Sequence, residues 1–579
     1  SLSFEEMKIF YNVWTADYSG ALIANNASDP GAFLWNIFVR LFSIYLKNYV
    51  LPTVLLLFGI ILASFGAEVF FRLEKTKSVI NPPDNPKNVK FIIIVIFFIS
   101  FIWALAAHFL LMTNYPVITD EFSYVFQADL LKSGKLYAVP PDPADSFRMQ
   151  NIVLDGKWCS KYTIGWPLLL AAGMFIKADF LISPLLCGFS SILIFLIGKR
   201  LISWEAGILS VFFVLFSPFY HLNAGTYFAH TACGCFALLF IYFLIKSLDN
   251  DPGRNAACST GRSGAFINAI IAGASAGFLF LIRPADGVLT AAGMILPVLY
   301  LFKTSKTKKL ALINLTVIFL LFFTGFGIYL LVNQAQTGSA FLSTFQKYNP
   351  DEKWGFVTLG HSPIKGLWNL AYALMRTSFW TVPFIGLLAV LSLFSNNIKV
   401  KLLLSSLPIY ILFFFGYYGN GALEIGSRFY FIPWIISAIG AGEGFIFLRQ
   451  ILQKNKRITL NALPAVFYCC VSLFMTAGVF IPMYPFIRLQ FELKSTMMKW
   501  VQNPPEAQGK SVIFLRDNFD RENGSLIRNF WWYNKQNTVI VYFLTPDINK
   551  KVLALFPDRT PYTVTVSYTH LTLPTIYSV

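Results

Sequence analysis

FIIIVIFFISFIWALAAHFLLMTNYPVITDEFSYVFQADLLKSGKLY, residues 91–137, decides how this chain is read. Residues 91–112 contain no Asp, Glu, Lys or Arg, and about 20 apolar residues suffice to cross the hydrocarbon of a bilayer as a helix. About eight residues after that run comes the acidic pair Asp120-Glu121. Phe122, Val125, Phe126, Ala128, Leu130 and Leu131 then recur at helical spacing. They predict an amphipathic helix lying on the membrane surface. A carboxylate this close to a membrane face can meet a lipid-borne substrate and still see water.

Working outward, the whole chain shares this character. It is 56% hydrophobic, 17% aromatic and only 13% charged, with a mean hydropathy of +0.59. Soluble domains carry about 25% charged residues. Apolar runs at 51–71, 91–112, 180–198, 205–220, 227–245, 265–282, 285–302, 310–333, 371–394, 402–418, 429–448 and 459–482 predict about twelve transmembrane helices. The run at 166–176 is too short to cross and reads as a re-entrant or interfacial helix.

A net charge of +17 would suit nucleic acid only if it were gathered in one folded patch. It is instead split among short loops. With 72–90 placed inside, the loops at 72–90, 199–204, 246–264, 303–309, 395–401 and 449–458 hold twenty Lys and Arg, and the short opposite loops only Arg283 and Arg428. Cytoplasmic loops of membrane proteins show this excess. Residues 1–50 (with an interfacial helix over 33–47), 113–165, 334–370 and 483–566 then fall outside. SVIFL at 511–515 and TVIVYFL at 538–544 make the last of these a small extracytoplasmic α/β domain. The chain starts at Ser1 and reads as truncated, with 51–90 an accessory helix and linker. Residues 567–579 have no charge and read as a non-native tail. The seven Cys show no zinc spacing and demand no disulfide.

Chemistry is sought among the outer charges. Thr119-Asp120-Glu121 also fits a helix start, where acids favour the helix dipole. Lys161 is either a phosphate contact or a snorkelling interfacial lysine. Arg283, in a tight outer turn before Pro284, is either functional or an interfacial anchor, and Arg428 either functional or paired with Glu424 four residues before it. Tyr124, His230, Asp351, Glu352, His361 and Glu424 are further candidates for substrate binding. No phosphate-cradling Gly-rich loop, nucleophile elbow or HExxH occurs in the chain. That argues against an ATP-driven pump, a dehydrogenase and a serine hydrolase. No ligand cluster is visible, so no metal or other cofactor is expected.

ITDEFSYVFQADLLKSGKLY at 118–137, GKWCSKYTIGWPLLLA at 156–171, IRPADGVL at 282–289, the WGF…GHSP loop at 354–363, GSRFYFIPW at 426–434 and FPDRTPY at 556–562 occur in this order. Together they resemble the phospholipid-carrier-dependent glycosyltransferases of GT-C fold, the bacterial relatives of protein O-mannosyltransferase and of the lipid A aminoarabinose transferase. The family's Pro-Pro after Lys-Tyr is Thr163-Ile164 here. The resemblance implies an all-α polytopic enzyme in the bacterial inner membrane, with its site on the periplasmic face. Its donor would be a sugar on polyprenyl phosphate, and its acceptor a lipid, glycan or protein. Asp120, with Glu121 beside it, would be the catalytic base, and Lys161, Arg283 and Arg428 would hold the donor phosphate. The alternative function class is a transporter or flippase of a lipid-linked or small solute. It would call for paired halves and ionisable residues at mid-membrane, and neither is evident.

Overall fold

The computed structural model describes residues 86–248, 262–356, 360–382, 384–423, 425–454, 509–516, 527–565 and 575–578, with isolated positions between 484 and 502. The segments expected over 1–50, 51–71 and 459–482 lie outside the described residues, as does Glu424.

Helix α1 (Pro86–Leu110) leads into an outer unit formed by α2 (Thr119–Lys132), the hairpin β1 (Ile152–Val153) and β2 (Cys159–Ser160), and α3 (Gly165–Phe175). The bundle continues with α4 (Ile182–Leu201), α5 (Trp204–Leu215), α6 (Pro218–Ala224), α7 (His230–Leu248), α8 (Arg262–Ile282), α9 (Pro284–Gly293), α10 (Ile295–Thr304) and α11 (Lys308–Thr337). A second outer stretch holds α12 (Thr344–Tyr348), before α13 (Pro363–Phe379), α14 (Ile385–Leu391), α15 (Ile398–Leu404) and α16 (Leu407–Phe415). The short strands β3 (Ala422–Leu423) and β4 (Gly426–Ser427) precede α17 (Phe431–Lys454). Among the described residues, eight helical stretches are long and apolar enough to cross a membrane, and α5 with α6 passes the same test only as a pair bent by 66°. The chain is thus a polytopic α-helical membrane protein.

Two sequence expectations change. The single span expected over 371–394 is broken into α13 and α14: α13 ends at Phe379, and Phe384, just before α14, stands at φ +65°, a left-handed backbone that interrupts a right-handed helix. The helix after Asp120-Glu121 forms, but it does not lie on a surface. Glu121 to Ala128 are buried apart from Val125. By contrast α3 is 11 residues long, about half a membrane crossing, as its apolar run implied.

Close packing explains the bundle. A Cβ on Gly325 of α11 would lie 2.5 Å from the Gly277 carbonyl of α8, so these two backbones touch as small residues allow in membranes. At the basic end, Arg449 pairs with Glu205, Asn397 Nδ2 donates to the Leu201 carbonyl (3.0 Å) and Asn314 Nδ2 to that of Ser247 (2.8 Å). These contacts gather the Lys- and Arg-rich helix ends on one side of the bundle, away from the outer unit.

At the other side, β5 (Ser511–Arg516), β6 (Thr538–Tyr542), α18 (Pro546–Leu555), β7 (Thr560–Thr565) and β8 (Thr575–Ser578) build a small α/β domain. The sheet order is β6-β5-β7-β8, with β5 parallel to both neighbours and β8 antiparallel to β7. The stretch read as a tail therefore supplies an edge strand through 575–578. Both faces of the sheet draw on the first outer loop. Phe147 joins Val512, Phe514, Val539, Val541, Val552 and Phe556 on one face. On the other, Phe122, Phe126 and Leu130 of α2 meet Ile513, Leu515 and Ile540.

Candidate active site

Helix α2 sets the site. It starts at Ile118, whose N–H donates to Glu121 Oε2 (2.9 Å). It ends in Ser133-Gly134, where the N–H groups of Lys135 and Gly134 reach back to the carbonyls of Leu130 and Leu131 (both 2.9 Å), the doubly bonded cap a left-handed glycine permits. The capping role therefore falls to Glu121. Its second oxygen accepts from the Tyr227 N–H (2.9 Å), which ties α2 to the turn before α7. Burial pushes the Glu121 carboxyl up to about 7, against the two N–H donors and Arg528.

Asp120 projects into a different environment. Its Oδ2 takes a hydrogen bond from Arg428 Nη2 at 2.8 Å, and both side chains keep only about a sixth of their surface exposed. Its Oδ1 accepts from Asn151 Nδ2 at 2.6 Å, and the Tyr162 hydroxyl acts on the same carboxylate. Burial presses its proton affinity up, but Arg428, Lys161 and Tyr162 outweigh it and hold the carboxyl below the ordinary Asp value. Asp120 is thus an ionised acceptor beside two cations.

Lys161 is brought in by the hairpin. Its N–H donates to the Asn151 carbonyl (3.0 Å), and its own carbonyl accepts from Thr344 Oγ1 (2.9 Å) at the start of α12. The ammonium sits 5.0–5.3 Å from the ring centroids of Tyr162, Phe345 and Tyr348, within cation–π range. Burial lowers its proton affinity, while Asp120 and Glu352 oppose that. At the position where the resembling family carries proline, the Thr163 hydroxyl donates to the Ile282 carbonyl (2.7 Å). A Cβ on Gly165 would lie 2.5 Å from the backbone at Leu281 and Ile282. Only glycine lets this segment press against the end of α8, which brings the Lys161 loop beside Arg283.

Arg283 pairs with Asp286 at 2.9 Å, and its guanidinium lies 5.5 Å from the ring centroid of Phe429, the neighbour of Arg428. Arg428 itself lies over Phe228 at 4.5 Å. Two of its buried donors, Nε and Nη1, have no hydrogen-bond partner among the described residues. A buried donor left unmade costs about 1–3 kcal/mol, more for a charged group.

The other sequence candidates divide. Tyr124 stacks on Tyr162 with centroids 4.6 Å apart, inside the field of Asp120, Arg283 and Arg428. His230 is buried, and neither ring nitrogen finds a partner among the described residues. Glu352 accepts from Asn349 and from the Tyr417 hydroxyl and acts on Lys161. Asp351 is exposed. His361 lies apart from the Asp120 cluster, with Nε2 bonded to the Phe415 carbonyl at 3.1 Å. Sequence reading passed over Asn151, Tyr162, Phe345 and Tyr348. Tyr162 adjoins Lys161 in the GKWCSKYTIG motif and was the one within reach.

No protein-family model matches the chain, and no curated relative matches its sequence. Among solved structures it is similar to ArnT from Cupriavidus metallidurans bound to undecaprenyl phosphate, at 11% identity over 84% of this chain and 94% of that one, with a TM-score of 0.49. It is also similar to the archaeal oligosaccharyltransferase AglB from Archaeoglobus fulgidus in complex with an inhibitory peptide and a dolichol-phosphate, at 11% identity over 82% and 69% of the two chains, with a TM-score of 0.47.

Proposed function

We propose that this protein transfers a sugar from a polyprenyl-phosphate donor to the hydroxyl of a lipid, glycan or protein acceptor, at the outer face of a bacterial inner membrane. The observation that carries the reading is Arg428. One guanidinium nitrogen holds Asp120 at 2.8 Å, while Nε and Nη1 are buried donors with no partner among the described residues. A phosphate oxygen suits those donors in charge and fork geometry. Its placement there sets the departing phosphate beside the base. Lys161 adds a point charge within its aromatic surround. Arg283, already matched by Asp286, contributes field more than contact.

The reaction then follows from the parts. Asp120 takes the proton of the acceptor hydroxyl, whose oxygen attacks the anomeric carbon. The sugar–phosphate bond breaks, and its electron pair stays on the polyprenyl phosphate, stabilised by Arg428 and Lys161. A single direct displacement inverts the anomeric configuration. The supply of the donor on a lipid suits a site at the membrane face, and the order of motifs in the sequence supports the same class.

The test uses full-length protein reconstituted in nanodiscs, given a polyprenyl-phosphate mannose and a polyprenyl-phosphate aminoarabinose, with released polyprenyl phosphate measured. Mass spectrometry of surface glycans and glycolipids with and without the gene runs beside it. Asp120→Asn is expected to lower turnover at least a thousandfold, while donor binding stays within a few fold. Wild-type turnover by Asp120→Asn would remove Asp120 from the mechanism. A wild-type protein that uses neither donor and leaves the glycans unchanged would overturn the reading itself.

A further inference from the structure

The carboxylate of Asp120 is held on both sides, and the two holders differ in kind. Arg428 is a long cation on the last turn before α17. Asn151 is a neutral amide on a short loop just before β1, and nothing in the sequence marks it. Its backbone stands at φ +64°, the left-handed region that only a few per cent of non-glycine residues occupy, with asparagine enriched among them. Such a conformation persists where the surroundings over-determine it.

The surroundings of Asn151 do so. The residue is 6% exposed. Its N–H donates to the Tyr348 hydroxyl of α12 (2.9 Å). Its carbonyl accepts from Ser123 Oγ of α2 (2.7 Å) and from the Lys161 N–H (3.0 Å). Its amide Nδ2 uses both protons, one on Asp120 Oδ1 (2.6 Å) and one on Thr119 Oγ1 (3.0 Å). Five bonds thus join α2, the Lys161 strand and the second outer loop through one residue. A left-handed residue here sends its side chain back over the start of α2, toward Asp120, while its main chain bonds the hairpin and α12.

From this geometry we infer that Asn151 is the positioning residue for Asp120. It fixes Oδ1 and the carboxylate plane, so that Oδ2, shared with Arg428, is the oxygen presented to the acceptor hydroxyl. The inference rests on the reading of Asp120 as the base. It also gives the second outer loop a way to act on the site. Tyr348 accepts the Asn151 N–H, and its ring stands 5.0 Å from the Lys161 ammonium. A shift of α12 therefore moves the base and a phosphate-binding cation together.

The experiment compares Asn151→Gly, Asn151→Asp and Asp120→Asn in nanodiscs with the same two donors. Glycine adopts φ +64° without strain, so Asn151→Gly keeps the backbone and removes only the amide. Its kcat is expected to fall about ten- to a hundredfold, the scale of a small misplacement of a reacting group. Donor KM and the thermal stabilisation given by polyprenyl phosphate should stay within about twofold. The acid limb of its kcat profile moves to higher pH, because a carboxylate that loses a donor binds its proton more tightly. Asn151→Asp is isosteric and tolerates the same backbone, but sets a second carboxylate against Asp120. Its loss of kcat should exceed that of the glycine variant, with the acid limb shifted the same way. A purely structural residue would lower the melting temperature and the yield while leaving kcat per folded molecule and the acid limb in place, and that result overturns the inference. Inactive Asp120→Asn beside fully active Asn151→Gly sinks the positioning role alone. Active Asp120→Asn sinks the underlying reading and the inference with it.

Discussion

At the scale of single residues, the adjacent acids of α2 show how little composition says about ionisation. Asp120 and Glu121 differ by one methylene and one position, yet the first is held ionised by two cations and the second is pushed up to about 7 by burial. Glu121 has a pH signature of its own. Its unfolded value is 4.5. Between that and about 7, the folded chain keeps a proton that the unfolded chain has released. Stability should therefore fall as pH rises through this window. The thermal midpoint of the reconstituted protein is expected to be higher at pH 5 than at pH 8, and Glu121→Gln should flatten the slope. A slope unchanged in the glutamine variant would place its origin elsewhere.

At the scale of elements, α2 is shared between two bodies. Tyr124 and Ala128 belong to the core of the bundle, and Phe122, Phe126 and Leu130 to that of the α/β domain. The helical period of apolar residues was visible in the sequence, but a period cannot say whether one face or two will be covered. Polar contacts lock the same junction. Asp129 Oδ2 accepts from the indoles of Trp531 (2.8 Å) and Trp532 (2.7 Å), and Arg528 donates to the carbonyls of Pro116 and Val117. A hydrogen bond to a charged group contributes about 1.5–3 kcal/mol. Asp129 is half-buried, so Asp129→Ala is expected to destabilise the docked domain by about 2 kcal/mol. Limited trypsin digestion should then cleave at Lys535 at least tenfold faster than in the wild type. Equal rates would show that the apolar face alone holds the domain.

At the scale of the whole molecule, charge ordering and the fold agree on one polarity. The basic helix ends cluster around Arg449–Glu205, and the Asp120 site lies beside the α/β domain. Asp155 and Asn396 are exposed, and the four described native cysteines are buried. In a background with Cys258, Cys469 and Cys470 replaced by serine, Asp155→Cys in intact spheroplasts should react with a membrane-impermeant maleimide. Asn396→Cys should react only after permeabilisation. The opposite pattern would invert the topology.

The sequence alone determined the solvent of this protein. Long uncharged runs have one low-cost environment, and basic residues confined to alternate loops orient them. It also pointed to Asp120 and Lys161 by their place beside apolar runs and in the ordered motifs, and to Arg283 and Arg428 as the basic residues of otherwise uncharged short outer turns. Tertiary structure decided the rest. It assigned the cap to Glu121, gave Asp120 its partner Arg428 308 residues away and split the span at 371–394. It also placed Asn151 against Asp120. These depend on contacts between segments far apart in the chain, and a left-handed asparagine in an irregular loop leaves no period, charge or motif by which to read it.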